Sequence, residues 1–193
     1  MNKIIFPPIP DSLFIRGDVP MTKEEIRTLA IAKMRLGKDS TVIDIGAGTG
    51  SVTIECALWA PGGRVIAVEK SAEGVKLIRA NAEKFMVKNI RVIHGEAPRA
   101  LEGMEKFDRA FIGGAGGNLT EILEWVTGNI ERSGIISVNA VTLDTVVSAA
   151  DFFRGRGVRH EIIQASITRI EETGGHRMFR AQNPVFIITG EKE

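Results

Sequence analysis

No tyrosine occurs among the 193 residues, aromatic residues make up only 6 %, and just phenylalanine and tryptophan remain for stacking on nucleic-acid bases. Charge of one sign is missing too. Twenty-five Lys and Arg against 24 Asp and Glu leave a net charge of +1 and an isoelectric point near 7.9, so no field extends outward to gather a polyanion. A nucleic-acid partner is therefore disfavoured. The single Cys56 has no partner for an internal disulfide and lies in a helical stretch, where a small buried apolar role fits a reducing cytoplasm. No run approaches the ~20 apolar residues of a membrane span, and Met1 to Pro8 is too short and too proline-broken for a signal peptide. A cytoplasmic protein without membrane contact is expected, and no metal site.

What is present suits one domain over 1–193, with 44 % apolar and 25 % charged residues and enough chain for a single core. Prolines 7, 8, 10 and 20 and the absence of periodicity mark residues 1–20 as an arm laid over the surface. Thr22-Lys-Glu-Glu25 reads as a capping box, with Thr22 as N-cap and Glu25 reaching back, ahead of a helical face of Ile26, Leu29, Ala30 and Lys33. Thr22 can also face a ligand. From Thr41, strands and helices alternate: strands 41–45, 64–68, 90–94, 108–112 and 134–140, helices 51–60, 72–85, 119–130 and 143–155, and a short turn of helix near 98–103. This is the pattern of an α/β, doubly wound, mostly parallel sheet. The runs His160 to Ile170 and Val185 to Thr189 have no helical pattern between them and predict a C-terminal antiparallel hairpin.

The centre of the chain is Thr41-Val-Ile-Asp-Ile-Gly-Ala-Gly-Thr-Gly50, an apolar strand running into three alternate glycines and then a helix. Side chains at Gly46, Gly48 or Gly50 would hold the turn away from a ligand lying across the strand end. Ser51 stands where a dinucleotide fingerprint needs glycine, so no pyrophosphate is implied. Glu69 closes the next strand 19 residues after Gly50, the distance at which an acidic residue meets a ribose. The pattern resembles the first motif of Rossmann-like class I S-adenosylmethionine-dependent methyltransferases, in which Asp44 and the glycines would lie beside the methionine part of the cofactor. Thr22, Gly46, Ala47, Gly48, Thr49, Gly50, Glu69, Glu96 and Ala97 are then the candidate cofactor residues, the last two in His94-Gly-Glu-Ala-Pro98 at the third strand end, against the adenine. His94 itself reads as a packed histidine.

The fourth strand ends in Ile112-Gly-Gly-Ala-Gly-Gly117, with Asn118 placed to cap the next helix. Methyltransferases acting on exocyclic amines of bases carry Asn or Asp, Pro-Pro and an aromatic here. This chain offers Gly113, Gly114, Gly116 and Gly117, room for a broad, flat substrate. The hairpin adds Arg169, His176, Arg177 and Arg180, a local cationic set suited to carboxylates. Glu171 and Glu172 are available to pair with it.

Four stretches carry a closer resemblance. Pro10-Asp-Ser-Leu-Phe14 with Val19 to Arg27, Val42 to Thr53, Gly95 to Pro98 with Phe111 to Gly117, and Gly175-His-Arg-Met-Phe to Asn183-Pro184 resemble the cobalt-precorrin C15-methyltransferases of cobalamin biosynthesis. The resemblance implies methylation of C15 of a tetrapyrrole with loss of carbon dioxide from the ring C acetate. It also implies a homo-oligomer, a tetramer in that family, and a separate protein for C5 methylation, since the fused domain found in some relatives is missing. Glu96 stands where the family usually has Asp. Two other readings share the glycine turn: a methyltransferase for RNA or isoaspartyl protein, and a non-catalytic cofactor-binding scaffold.

Overall fold

A computed structural model describes residues 6–193. The arm leads through a short 3-10 turn (Asp11–Leu13) into α1 (Glu24–Met34). Then follow β1 (Thr41–Ile45), α2 (Ser51–Trp59), β2 (Arg64–Glu69), α3 (Ala72–Lys84), β3 (Ile90–His94), a second 3-10 turn (Arg99–Leu101), β4 (Phe107–Ile112), α4 (Leu119–Asn129), β5 (Ile130–Ala140) and α5 (Leu143–Gly155). Four strands close the chain: β6 (Arg159–Ala165), β7 (Thr168–Thr173), β8 (His176–Ala181) and β9 (Val185–Glu191).

Seven strands form one sheet in the order β3-β2-β1-β4-β5-β9-β6. β1 to β5 run parallel, and β9 lies antiparallel between β5 and β6. The strand order reverses between β1 and β4, which opens a crevice at their carboxyl ends, the place where open α/β sheets bind ligands. Apolar residues of β1, β2, β4 and β5 are buried on both faces, as parallel strands under two helix layers require.

The expected C-terminal hairpin is present in a more elaborate form. Its run from His160 breaks at Ser166 and Ile167, so β6 pairs with β9 inside the main sheet while β7 and β8 project as a separate two-stranded ribbon. Every residue of β7 and β8 is exposed. β5 also starts earlier than expected, at Ile130, across a register shift opposite Phe107 and Arg109.

The capping box does not form. Lys23 is the N-cap residue and no side chain caps the helix; Glu25 Oε1 instead accepts a hydrogen bond from Arg169 at 2.6 Å. Leu29 is exposed, and Arg27, Ile31 and Met34 join Ile26 and Ala30 on the buried face. Asn118 likewise makes no side-chain cap.

The arm is more than a surface layer. Ile9 and Phe14 are buried against Ile54 of α2, each worth about 1.5–3 kcal/mol of burial. The Arg27 guanidinium, wholly buried, donates to the carbonyls of Ile9 and Thr22 and to the carboxylates of Glu55 and Asp11. Its fork therefore clips both ends of the Ile9-to-Thr22 segment to the body. A buried cation makes this possible only because two carboxylates surround it.

Candidate cofactor and acceptor site

At the strand-order reversal lies a cavity of about 330 Å³. Gly46, Ala47 and Gly48 line one side of it, Glu69, Lys70 and Ser71 follow from the end of β2, and Glu96 and Ala97 from the end of β3. Val19, Pro20 and Thr22 of the arm and Gly113, Gly114 and Gly116 after β4 complete the wall. Seven of the nine candidate cofactor residues thus meet around one space. Thr49 and Gly50 do not line it: Thr49 is buried and Gly50 is the N-cap residue of α2.

The glycines are required for a reason the sequence reading missed. A Cβ on Gly46 would stand 2.5 Å from the Gly114 carbonyl oxygen, one on Gly48 2.7 Å from the Pro20 carbonyl oxygen, and one on Gly50 3.1 Å from Ile78. All three have positive φ, +73°, +56° and +80°, where a side chain is strained. The protein's own chain already occupies the space that side chains would take.

Glu69 is buried, and its two oxygens are engaged: Oε2 accepts from the Gly48 amide at 2.8 Å and Oε1 from the Ser71 amide at 2.7 Å. It therefore shapes the glycine turn while its remaining lone pairs stay available to hydroxyl donors. Gly74 of α3 keeps room for it, since a Cβ there would meet the Glu69 side chain at 2.7 Å.

Asp44, the fourth residue of β1, is fully buried at the cavity wall. Its Oδ2 accepts from the Thr53 hydroxyl, and its Oδ1 has no partner among the described residues. Burial pushes the carboxyl up from 3.8 to about 7; the Thr53 hydrogen bond opposes this and the nearby Glu69 charge adds to it. An orphaned carboxylate oxygen beside a glycine cradle and a second acid suits a cationic ligand with hydroxyl groups. S-adenosylmethionine, a sulfonium and an ammonium attached to a ribose, has that chemistry.

Ser71 caps α3 through Gly74, and Glu96 is exposed with Lys70 Nζ 3.4 Å away. His94 is exposed rather than packed, its Nε2 3.1 Å from the Lys70 carbonyl. Cys56 is buried, and burial raises its thiol pKa, which removes it as a nucleophile at neutral pH. Among the described residues no group of three His, Cys, Asp or Glu is placed to hold a metal ion, and no helix is long and apolar enough to cross a membrane.

Gly113, Gly114, Ala115 and Gly116 also line a second cavity, of about 360 Å³, that Gly117, Asn139, Val141, Asp144, Thr145 and Ser148 extend. The glycine loop after β4 is common to both spaces. A third opening adjoins the first at Gly95, Glu96 and Ala97, and its lining holds Glu96, Glu102, Glu121 and Glu124 beside His94 and Arg99.

The four hairpin cations line neither the first nor the second cavity. Cross-strand pairing sets Arg169 opposite Arg180 and Thr173 opposite His176 on one face, and Glu172 opposite Arg177 on the other. Arg169 is paired with Glu25 at 2.6 Å and Arg180 with Glu171 at 3.4 Å.

Sheet order, glycine turn and terminal acid define a Rossmann-like class I methyltransferase. The chain belongs to the precorrin methyltransferase family: residues 13–192 match the precorrin methyltransferase domain. It is 44 % identical over 193 residues to a Saccharolobus solfataricus protein named "Probable cobalt-precorrin-6B C(15)-methyltransferase (decarboxylating)", covering 97 % of both chains. It is 38 % identical over 185 residues to the cobalt-precorrin-6B C(15)-methyltransferase (decarboxylating) of Salmonella typhimurium, covering 95 % of both. Among solved structures, the precorrin-6y C5,15-methyltransferase of Geobacter metallireducens superposes with a TM-score of 0.90 at 37 % identity, over 95 % of this chain and 97 % of that one.

Absent from the sequence reading were the roof residues Val19 and Pro20, and Lys70, Ser71 and Phe111 of the wall. Val19, Pro20 and Phe111 had a signal, since they lie in the family-like stretches. Lys70 and Ser71 are placed by the end of β2 and carry no pattern of their own.

Proposed function

We propose that this chain methylates C15 of a cobalt-precorrin from S-adenosylmethionine and releases the ring C acetate carboxylate as carbon dioxide. The observation that carries the reading is the loop Gly113 to Gly116, which borders the cofactor cavity on one side and a second cavity on the other. With no side chain at three of those four positions, a flat acceptor can approach the cofactor closely.

Thr22, Gly46, Ala47, Gly48, Glu69, Glu96 and Ala97 would hold the cofactor, with Glu69 toward the ribose hydroxyls and Asp44 toward positive charge. Thr49 and Gly50 act from behind by fixing the turn. When bound, the cofactor supplies an electrophilic methyl group. The protein's part is alignment and exclusion of water, because conjugation already makes the acceptor carbon electron-rich. On decarboxylation the C–C bond to the carboxylate breaks and its electron pair passes into the conjugated ring.

Charge favours one of the two openings that adjoin the cofactor cavity. A tetrapyrrole fringed with acetates and propionates is repelled by Glu102, Glu121 and Glu124, whereas among the described residues Asp144 is the one acid lining the second cavity. We place the ring there, over Gly113, Gly114, Gly116 and Gly117, with at least two of Arg169, His176, Arg177 and Arg180 holding its carboxylates. The exposed Ile170, Met178 and Phe179 of the projecting ribbon support a homo-oligomer, taken as a tetramer, because an isolated two-stranded ribbon is marginal in water. The reaction belongs in the cytoplasm, with a separate protein methylating C5.

The test is incubation of the purified protein with methyl-labelled cofactor and a cobalt-precorrin acceptor, followed by mass spectrometry. One methyl gained with one carbon dioxide lost supports the reading. Transfer to tRNA or an isoaspartyl peptide instead, or cofactor binding with no turnover of the corrinoid, overturns it.

A further inference from the structure

Asn81 touches no ligand cavity, yet it is wholly buried and its carboxamide is used at both ends. Nδ2 donates to the Thr49 carbonyl at 2.9 Å and to the Ile15 carbonyl at 3.0 Å, while Oδ1 accepts from the Ile15 amide at 2.8 Å. Thr49 belongs to the glycine turn, one wall of the cofactor cavity. Ile15 belongs to the arm, whose Val19, Pro20 and Thr22 form another.

The same face of α3 supports both walls. Gly74 leaves space for Glu69, Ile78 packs under Gly50, and Asn81 sits under Thr49, positions that share a helical face by their spacing of four, three and seven. Beyond Ile15 the arm passes over Glu73, whose Oε1 accepts from the Asp18 amide at 2.9 Å. It then brings the Pro20 carbonyl against Gly48. The chain of contacts runs from Asn81 through Ile15 and Asp18 to the roof, and from Asn81 through Thr49 to the floor.

We infer that Asn81 is a positioning residue that locks the arm to the glycine turn, so that cofactor binding and closure of the Ile15-to-Thr22 roof are one event. A carboxamide is the needed group because the joint requires two donors and one acceptor within a single short side chain. Aspartate would keep the acceptor for the Ile15 amide but set a negative charge against two carbonyls. Alanine would strand all three backbone groups.

This inference rests on the cavity being the cofactor site, and the experiment separates the two. Binding of S-adenosylhomocysteine is measured by calorimetry for the wild type, Asn81→Ala, Asn81→Asp and Glu73→Ala. In parallel, trypsin cleavage after Arg16, an exposed bond in the arm, is followed with and without that ligand. Wild type should bind, and the ligand should slow cleavage at Arg16. Both Asn81 variants should bind about ten- to a hundredfold more weakly, the scale of one or two lost buried hydrogen bonds. They should be cut faster at Arg16, and saturating ligand should protect them less. Glu73→Ala, which alters only an exposed contact of the arm, should weaken binding a few-fold in the same sense, and it decides the matter if the Asn81 variants do not fold. Wild type that fails to bind refutes the cofactor site. Wild type that binds with no protection of Arg16, or variants that bind as it does, refutes the coupling.

Discussion

If Asp44 faces the positive charge of the cofactor as proposed, cofactor affinity should depend on pH, and its raised pKa gives the size of the effect. Its carboxyl is raised from 3.8 to about 7, chiefly by burial, so near neutral pH the empty site holds a mixture of acid and carboxylate. A cationic ligand selects the carboxylate. If the apparent pKa is about 7, the ionised fraction grows from roughly 3 % at pH 5.5 to about half at pH 7. Affinity should then rise about fifteenfold over that interval and flatten above it. Calorimetry at pH 6 in two buffers of different ionisation enthalpy should show nearly one proton released per S-adenosylmethionine bound. Asp44→Asn, which keeps the shape facing Thr53, should lose both the proton release and the slope.

Stability moves in the opposite direction. A carboxyl whose folded pKa lies above its unfolded value contributes stability that is complete below the unfolded pKa, near 3.8, and is lost as pH rises through about 7. At ~1.36 kcal/mol per pH unit that loss amounts to about 4 kcal/mol. The ligand-free protein should weaken between pH 4 and 7 in denaturant titrations, and Asp44→Asn should weaken less. Binding that is flat from pH 5.5 to 7 in the wild type, or a slope that survives in Asp44→Asn, would refute the assignment of Asp44 to the cationic part of the cofactor.

Two further predictions address the remaining walls. Glu69→Ala should cost about 1.5–3 kcal/mol of cofactor binding by calorimetry, and because the Gly48 and Ser71 amides lose their acceptor, hydrogen exchange at both should quicken. Unchanged affinity removes Glu69 from the site. Arg177→Ala and Arg180→Ala should raise the corrinoid KM or yield methylated product that retains its carboxylate, with cofactor affinity unaltered, and full activity in both would remove Arg177 and Arg180 from substrate binding.

The parallel half of the fold was legible because its signals are local. Val42 to Ile45 and Val65 to Val68 are apolar runs bounded by turn residues, and the intervening helices show their own period. The glycine spacing and Glu69 pointed to residues that the structure places around one cavity at the strand-order reversal. Local pattern misled where a long-range partner competed for a side chain. Thr22 and Glu25 have the spacing of a capping box, yet Arg169, 144 residues away, takes Glu25 Oε1. In the hairpin the cations form a local set in sequence, but the two-residue period of a strand puts Arg177 on the face opposite Arg169 and Arg180.

The arm shows the same limit from the other side. Its prolines and lack of period are true of a segment without regular structure, and nothing local distinguishes a loose strap from a packed one. What packs it lies elsewhere in the chain: Arg27 in α1, Glu55 in α2, and Glu73 and Asn81 in α3. Each of these polar residues sits on a helix that the sequence placed, and each reads in isolation as an ordinary surface residue. Backbone groups of an irregular segment must find donors and acceptors if they are to be buried. Arg27 and Asn81, fully buried in helices otherwise facing the core with apolar side chains, are the counterparts of that requirement. A polar residue at a core-facing helical position is thus the sequence signal for a packed arm, and residues 27 and 81 carry it.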